Sequence, residues 1–251
     1  MASVPEVERV GSRGLLFTFC DLDGLPATVY LIEGQKHWFV VDTFLGPESM
    51  KPVREAMERK RLVKPVVVFN THYHWDHVWG NCAFLNATIV SHRLTKEAMI
   101  FKAWAELAEY GRHQQGDVSI ILPQLLFDER LAFEEDGVEF FHTPGHTQDS
   151  SSCYDRIDKV LLVGDNVELP LPYLYWNDLD RYLETLKSYL AVDVQRIIAG
   201  HHIRVTLEII KANMDYIRDF ILGQADKYQQ GAGAATHSQN RKRIIPTEHD
   251  R

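Results

Sequence analysis

Residues 66–69 are Val-Val-Val-Phe, and they run directly into Asn70-Thr71-His72-Tyr73-His74-Trp75-Asp76-His77. An unbroken apolar run of that length reads as a strand buried on both faces, the kind found inside α/β folds rather than on a solvated sheet. Side chains at the C-terminal end of such a strand sit where α/β folds place their ligands. Here that end carries four residues of metal-ligating type, His72, His74, Asp76 and His77, within six positions. Imidazole nitrogen and carboxylate oxygen suit zinc and other first-row metals. His72 and His74, at i and i+2, project to one side of an extended segment. If the chain then tightens into a turn or helix, Asp76 and His77 face a second position beside the first. The bland reading is a solvated histidine tract, but such tracts belong to tags and tails, not to the end of a buried strand.

The rest of the chain alternates strand and helix signals. Residues 15–20 and 27–33 are short strand-like runs flanking the turn signal Asp23-Gly24. Residues 37–41 form another strand, ended by Asp42, and residues 47–61 have helical spacing until Pro65. A strand over 88–90 and a helix over 94–110 follow, then irregular chain to 129. Residues 94–129 are the longest stretch between motifs, a candidate lid. Strands are expected over 131–133, 138–141, 152–154, 160–163 and 196–199. Leu179, Tyr182, Leu183, Leu186 and Leu190 form a helical stripe, and so do Leu207, Ile210, Met214, Ile217 and Ile221. No linker or repeat interrupts this pattern, which gives one domain over 1–228. Residues 229–251 lose the pattern and read as a loose or packing tail. Its basic tract Arg241-Lys242-Arg243 reads as solvated surface.

The chain has 251 residues, 45% of them hydrophobic and 25% charged, with a formal net charge of −8. That balance fits a globular α/β protein and argues against a nucleic-acid partner, which needs clustered cations. The three cysteines are widely spaced and form no CxxC pair. With no signal-like opening segment and no apolar run near the roughly 20 residues of a membrane span, the chain reads as cytoplasmic, with no membrane partner. A small-molecule substrate is expected, and a homo-oligomer is left open. The 12 histidines are the unusual count, and their placement carries the argument.

Residues 71–81, Thr-His-Tyr-His-Trp-Asp-His-Val-Trp-Gly-Asn, contain HxHxDH, and this segment resembles the signature of the metallo-β-lactamase-fold superfamily. Thr143-Pro144-Gly145-His146-Thr147 resembles that family's second histidine motif. Val163-Gly164-Asp165 resembles its bridging-aspartate motif, and Ala199-Gly200-His201 its last histidine motif. All four stand in the family's order across residues 15–205. The resemblance implies an α/β fold in the form of a four-layer αββα sandwich, two mixed β-sheets with helices on the outer faces. It implies two divalent metal ions, with zinc the leading identity and iron or manganese the alternatives. His72, His74 and His146 would hold the first, and Asp76, His77 and His201 the second, with Asp165 between them. Three imidazoles leave an open position for water, as catalytic rather than structural sites do. A hydroxide bridging the two ions would then attack a small ester, lactone, amide or phosphoester. Asp76 would be the catalytic residue that orients it and carries a proton to the leaving group.

Other residues compete for roles. His142 lies four positions before His146, which is preferred because Gly145 permits the turn that aims it. His202 reads as a pocket neighbour of His201 rather than a ligand. His37, His92 and His113 lack motif context and read as ordinary hydrogen-bonded or surface histidines, and Cys153 as a small buried apolar residue. Trp75, Trp79, Tyr173 and Tyr175 crowd the motifs and are candidates for pocket walls, alongside packing roles. The second ligand is His74 rather than Glu, which separates the chain from the family's di-iron flavoprotein branch. Too little chain follows His201 for the added helical region of a thioester hydrolase resembling glyoxalase II. Two further readings stay open: a mononuclear iron oxygenase resembling persulfide dioxygenases, which share HxHxDH, and a metal-binding protein without turnover.

Overall fold

The computed structural model describes residues 3–61 and 63–244. Its first half builds one sheet from β1 (Glu6–Val10), β2 (Gly14–Leu22), β3 (Leu25–Glu33), β4 (Trp38–Val41), β5 (Val66–Asn70), β6 (Thr88–His92) and β7 (Leu125–Phe127), hydrogen-bonded in that order. Strands β1 to β4 are antiparallel neighbours, whereas β4 to β7 run parallel. Helices α1 (Lys51–Arg59), α2 (Trp75–Val78) and α3 (Arg93–Tyr110) connect the parallel strands. The second half builds β8 (Arg130–Phe133), β9 (Val138–His142), β10 (Ser151–Asp155), β11 (Val160–Leu162), β12 (Arg196–Ala199) and β13 (His202–Val205), again in sequence order. Only the β11–β12 pair is parallel among these described strands. Helices α4 (Leu179–Tyr189), α5 (Leu207–Ile221) and α6 (Ala234–Arg243) complete the chain.

The expected αββα sandwich is present, and alternation along the strands explains its layering. In β5, Val67 and Phe69 face the second sheet while Val68 faces the helical layer of the first. In β4, Phe39 and Val41 point inward, and Trp38 and Val40 point outward. The central core joins these residues to Val138, Phe140, Cys153, Leu162 and Ile198 from the other sheet. Phe69 and Phe140 stack across the interface with centroids 4.1 Å apart. Outside the first sheet, Val53 and Met57 of α1 and Met99 and Ala103 of α3 bury their apolar stripes. Outside the second, Tyr182, Leu186 and Tyr189 of α4 pack with Ile210, Met214 and Ile217 of α5. The stripes on α4 and α5 are those visible in the sequence. Among the described residues no helix is long and apolar enough to cross a membrane, and all three cysteines are free.

Four elements depart from the sequence expectation. Strands β1, β7 and β13 were not expected, and β13 is a four-residue edge strand with two exposed residues at its centre. Strand β1 is a largely exposed edge strand of Glu-Val-Glu-Arg-Val, without a clean apolar alternation, and β7 is only three residues long. Helix α6 lies in the stretch read as a tail, and its sequence AATHSQNRKR has no apolar face. Polar contacts hold it instead. Asn240 accepts from the Leu174 N–H at 2.9 Å and donates to Pro172 O at 2.8 Å and Tyr216 Oη at 3.0 Å, while His237 Nδ1 lies 3.1 Å from the same hydroxyl.

The stacked Phe69–Phe140 pair ties the sheets together, so Phe140→Ala is expected to cost about 3–5 kcal/mol in denaturant unfolding. Phe101→Ala, on the 84% exposed face of α3, is expected to stay within about 0.5 kcal/mol of the parent.

Candidate metal centre

The seven residues that the motifs single out arrive at one rim of the sandwich from four strand ends. Strand β5 ends at Asn70, and His72 and His74 follow in extended chain. His74 has φ −57° and ψ 142° and is the residue before α2, so Asp76 and His77 sit on a helical turn. The change from extended to helical backbone divides the segment into two ligand pairs, as the spacing suggested. His146 comes from the β9–β10 loop, Asp165 from the turn after β11, and His201 from the turn between β12 and β13.

The side chains form two groups of potential metal ligands, His72, His74, His146 and Asp165 in one and Asp76, His77 and His201 in the other. Within each group the ligand atoms all lie within 4.8 Å of one another. His74 Nδ1 is 3.0 Å from His72 Nε2 and 3.2 Å from His146 Nε2. Asp165 Oδ2 is 3.3 Å from both His77 Nε2 and His201 Nε2, and 3.7 and 3.8 Å from His72 Nε2 and His146 Nε2. That one oxygen therefore touches both groups. Asp76 Oδ2 lies 3.4 Å from His201 Nε2 and 3.8 Å from His77 Nε2.

The nitrogens turned away from the centre are tied down. His77 Nδ1 donates to Asp42 Oδ2 at 2.8 Å and His201 Nδ1 to Pro26 O at 2.8 Å. His146 Nδ1 lies 3.2 Å from Tyr173 O and 3.4 Å from Glu168 Oε2. Thr71 Oγ1 donates to Asp42 Oδ2 at 2.8 Å, so His72 Nδ1, 3.1 Å away, is the donor to that hydroxyl. Asp42 and Glu168 were not singled out in the sequence. The available signal was positional: Asp42 closes a buried strand, and Glu168 follows Asp165 in the same turn.

The chemistry of the set fits cations. His77 Nε2 and Asp165 Oδ1 are buried and make no hydrogen bond, a cost of about 1–3 kcal/mol for each group left without a partner. Gly200 leaves room for this: a Cβ there would stand 2.1 Å from Asp165 Oδ1 and 2.7 Å from His77 Cε1. Burial, reinforced by neighbouring imidazoles, holds His72 and His74 well below the ordinary histidine range, in the neutral form that ligates. Burial also pulls His77 and His201 down, but the adjoining carboxylates, Asp165 foremost, outweigh it and raise both well above that range. Burial works against the Asp165 carboxylate too, yet His201 and His77 hold it well below the usual carboxylate values. The second group thus gathers positive charge, which a metal ion would supply in place of protons.

The pocket over the centre has a volume of about 380 Å³. Trp75, Tyr173 and Tyr175 line it as expected. The Tyr175 ring stands 4.8 Å from that of His74 and 4.9 Å from that of His146. Trp79 does not reach the pocket. It is 1% exposed and packs in the core behind Trp75, because the chain from Trp79 to Ala83 turns inward as a short 3₁₀ helix. His202 is also outside the lining, since its Nε2 accepts from the Leu169 N–H at 2.9 Å. Helix α3, the proposed lid segment, contributes Glu106 and Tyr110 as a wall, and α6 contributes Gln239 and Arg243. His142 stacks on His92 at 3.8 Å and stands apart from both ligand groups.

Gly145 aims His146 for a different reason than the one expected. Its φ is not in the left-handed region. A Cβ would lie 2.4 Å from Tyr182 Cδ2, so the glycine allows close approach to α4. The Asn166 side chain fixes the turn, accepting from the His146 N–H at 2.8 Å and donating to Thr143 O at 2.7 Å.

Comparison with known proteins agrees with this geometry. Residues 22–201 match the family model of the metallo-beta-lactamase superfamily. The beta-lactamase-like protein 2 homolog of Drosophila melanogaster is 24% identical over 212 residues, covering 80% of this chain and 68% of that one. Human acyl-coenzyme A thioesterase MBLAC2 is 25% identical over 208 residues, covering 71% and 74%. The metallo-beta-lactamase of Pontibacter korlensis superposes with a TM-score of 0.69 at 17% identity, over 86% of this chain and 99% of its own. The chain belongs to the metallo-beta-lactamase superfamily and is an enzyme of that fold.

Proposed function

We propose that the chain is a dinuclear metal-dependent hydrolase of small esters, thioesters or lactones, with zinc as the resident metal. The observation that carries this reading is the pair of ligand groups sharing Asp165 Oδ2. His72, His74 and His146 would hold one ion, Asp76, His77 and His201 the other, and Asp165 would serve both. Two such ions, when bound, supply a water that ionises near neutral pH and a Lewis acid for the substrate carbonyl. The chain's own residues do the rest. Asp76, at the pocket floor beside His201, would take the proton of the attacking water and return it to the leaving group. Tyr175, Tyr173 and Trp75 exclude water and pack against the acyl part. The human thioesterase among the relatives supports an acyl substrate. Amides and phosphoesters fit the same ligand set and are separated from acyl esters by assay.

Elemental analysis of purified protein is expected to give about two metal ions per chain, zinc dominating, and about one after either His146→Ala or His201→Ala. One iron and no zinc in the parent protein overturns the dinuclear reading in favour of an iron oxygenase. Asp76→Ala is expected to lower kcat by about 10²- to 10⁴-fold on any ester the parent turns over, and to loosen the second metal. A normal rate with two metals bound removes Asp76 from the mechanism. Asp42→Ala, which strips the support of His77 and of Thr71 under His72, is expected to weaken metal affinity about 10- to 100-fold in a chelator competition. An unchanged affinity shows that Asp42 does not orient the ligands.

A further inference from the structure

We propose that Arg243, carried by α6, binds a carboxylate on the part of the substrate remote from the reacting carbonyl, so that the enzyme prefers ω-carboxylated acyl esters. This rests on the hydrolase reading above and names the substrate class of the same site.

Arg243 lines the pocket. Its guanidinium carbon lies 4.1 Å from the centroid of the Tyr175 ring and 5.7 Å from that of Tyr173. Tyr175 in turn packs against His74 and His146, so one aromatic layer separates the cation from the ligand imidazoles. The guanidinium makes no hydrogen bond or ion pair with any described residue, and its Nη1 is buried without a partner. The other cations near it are committed. Arg241 pairs with Asp226 at 3.5 Å, and Lys102 donates to Tyr73 Oη at 2.8 Å.

A buried polar group without a partner is costly, and a cation more so. The pocket offers Arg243 an aromatic face, but none of the described carboxylates pairs with it. Glu106 looks into the same pocket, yet burial holds it up to about 8, so near neutral pH it is mostly protonated. With its carbon 4.1 Å from the Tyr175 centroid, the guanidinium keeps its fork of N–H donors, the geometry that takes a planar carboxylate in two parallel hydrogen bonds. The helix that delivers Arg243 is not a loose arm. Asn240, one turn earlier, locks α6 to Pro172 and Leu174 of the loop that bears Tyr173 and Tyr175.

The test compares phenyl hydrogen adipate with phenyl hexanoate, a pair differing in a terminal carboxylate, on the zinc-loaded full chain. The parent is expected to favour the adipate ester at least tenfold in kcat/KM. Arg243→Gln is expected to bring that ratio near one, a loss of about 10- to 100-fold on the charged ester, and Arg243→Lys to keep part of it. No preference in the parent, or the same ratio in Arg243→Gln, overturns the inference while leaving the hydrolase reading in place. If neither ester is turned over, the failure falls on the hydrolase reading, and calorimetry decides Arg243 separately. Adipate and its monoamide each offer one carboxylate to the metals, and only adipate offers a second. Tighter binding of adipate by the parent but not by Arg243→Gln supports the inference, and equal affinities in the parent overturn it.

Discussion

The cluster of candidate metal ligands depends on one buried carboxylate that is not itself among them. Asp42 ends β4 with φ of 59°, a left-handed conformation that Asp tolerates better than most residues. The turn brings its two oxygens over the start of the histidine segment. Oδ1 accepts the Thr71 N–H, and Oδ2 accepts both Thr71 Oγ1 and His77 Nδ1, each at 2.8 Å. Through Thr71 it reaches His72, and directly it reaches His77, so one side chain steers a member of each ligand group. Charge-assisted hydrogen bonds of this kind are short and directional. They also leave both imidazoles with Nε2 free toward the centre, which fixes the ligating nitrogen.

The two halves of the chain meet at this rim through backbone bonds as well as through packing. Ser151 N donates to Thr71 O at 2.8 Å, which ties the start of β10 to the first motif. Thr28 N donates to Gly200 O and Gly200 N to Gly164 O, each at 2.8 Å, so β3, the Asp165 turn and the His201 turn are held in one line. His201 adds a side-chain bond to Pro26 O across the same seam. The stacked phenyl rings of Phe69 and Phe140 set the spacing of the sheets below. A close-packed core transmits position with little slack. Ligands from separate strand ends can therefore converge without loops long enough to wander.

What the sequence made legible follows from how local each feature is. Ligand identity is a property of single residues, and the change from extended chain to helical turn at His74 is a property of one short segment. Both were readable, and in the structure the helical turn starts after His74 and the candidate ligands gather into two groups. The stripes of α4 and α5 were readable because burial of one face imposes a period. Helix α6 was not, because Asn240 and His237 hold it by long-range polar contacts that leave no period in the sequence. Asp42 and Glu168 escaped for the same reason, since their partners lie 29 to 35 residues away for Asp42 and 22 for the His146 neighbour of Glu168. Trp79 misled because proximity to a motif in sequence does not choose between a wall and the core. Gly145 showed the right residue with another cause, since crowding by Tyr182 cannot be seen without the fold.

The division between legible and hidden features has a functional counterpart. The ligands stand on strand ends fixed by the central core, so their placement tolerates little change. The walls of the pocket come from elsewhere: α2 gives Trp75, α3 gives Glu106 and Tyr110, the loop before α4 gives Tyr173 and Tyr175, and α6 gives Arg243. A sandwich of this kind can keep one reactive centre while the elements that wall its pocket vary. For this chain the consequence is concrete. The ligand residues all lie within the motifs, whereas pocket-wall residues such as Arg243 lie in no motif.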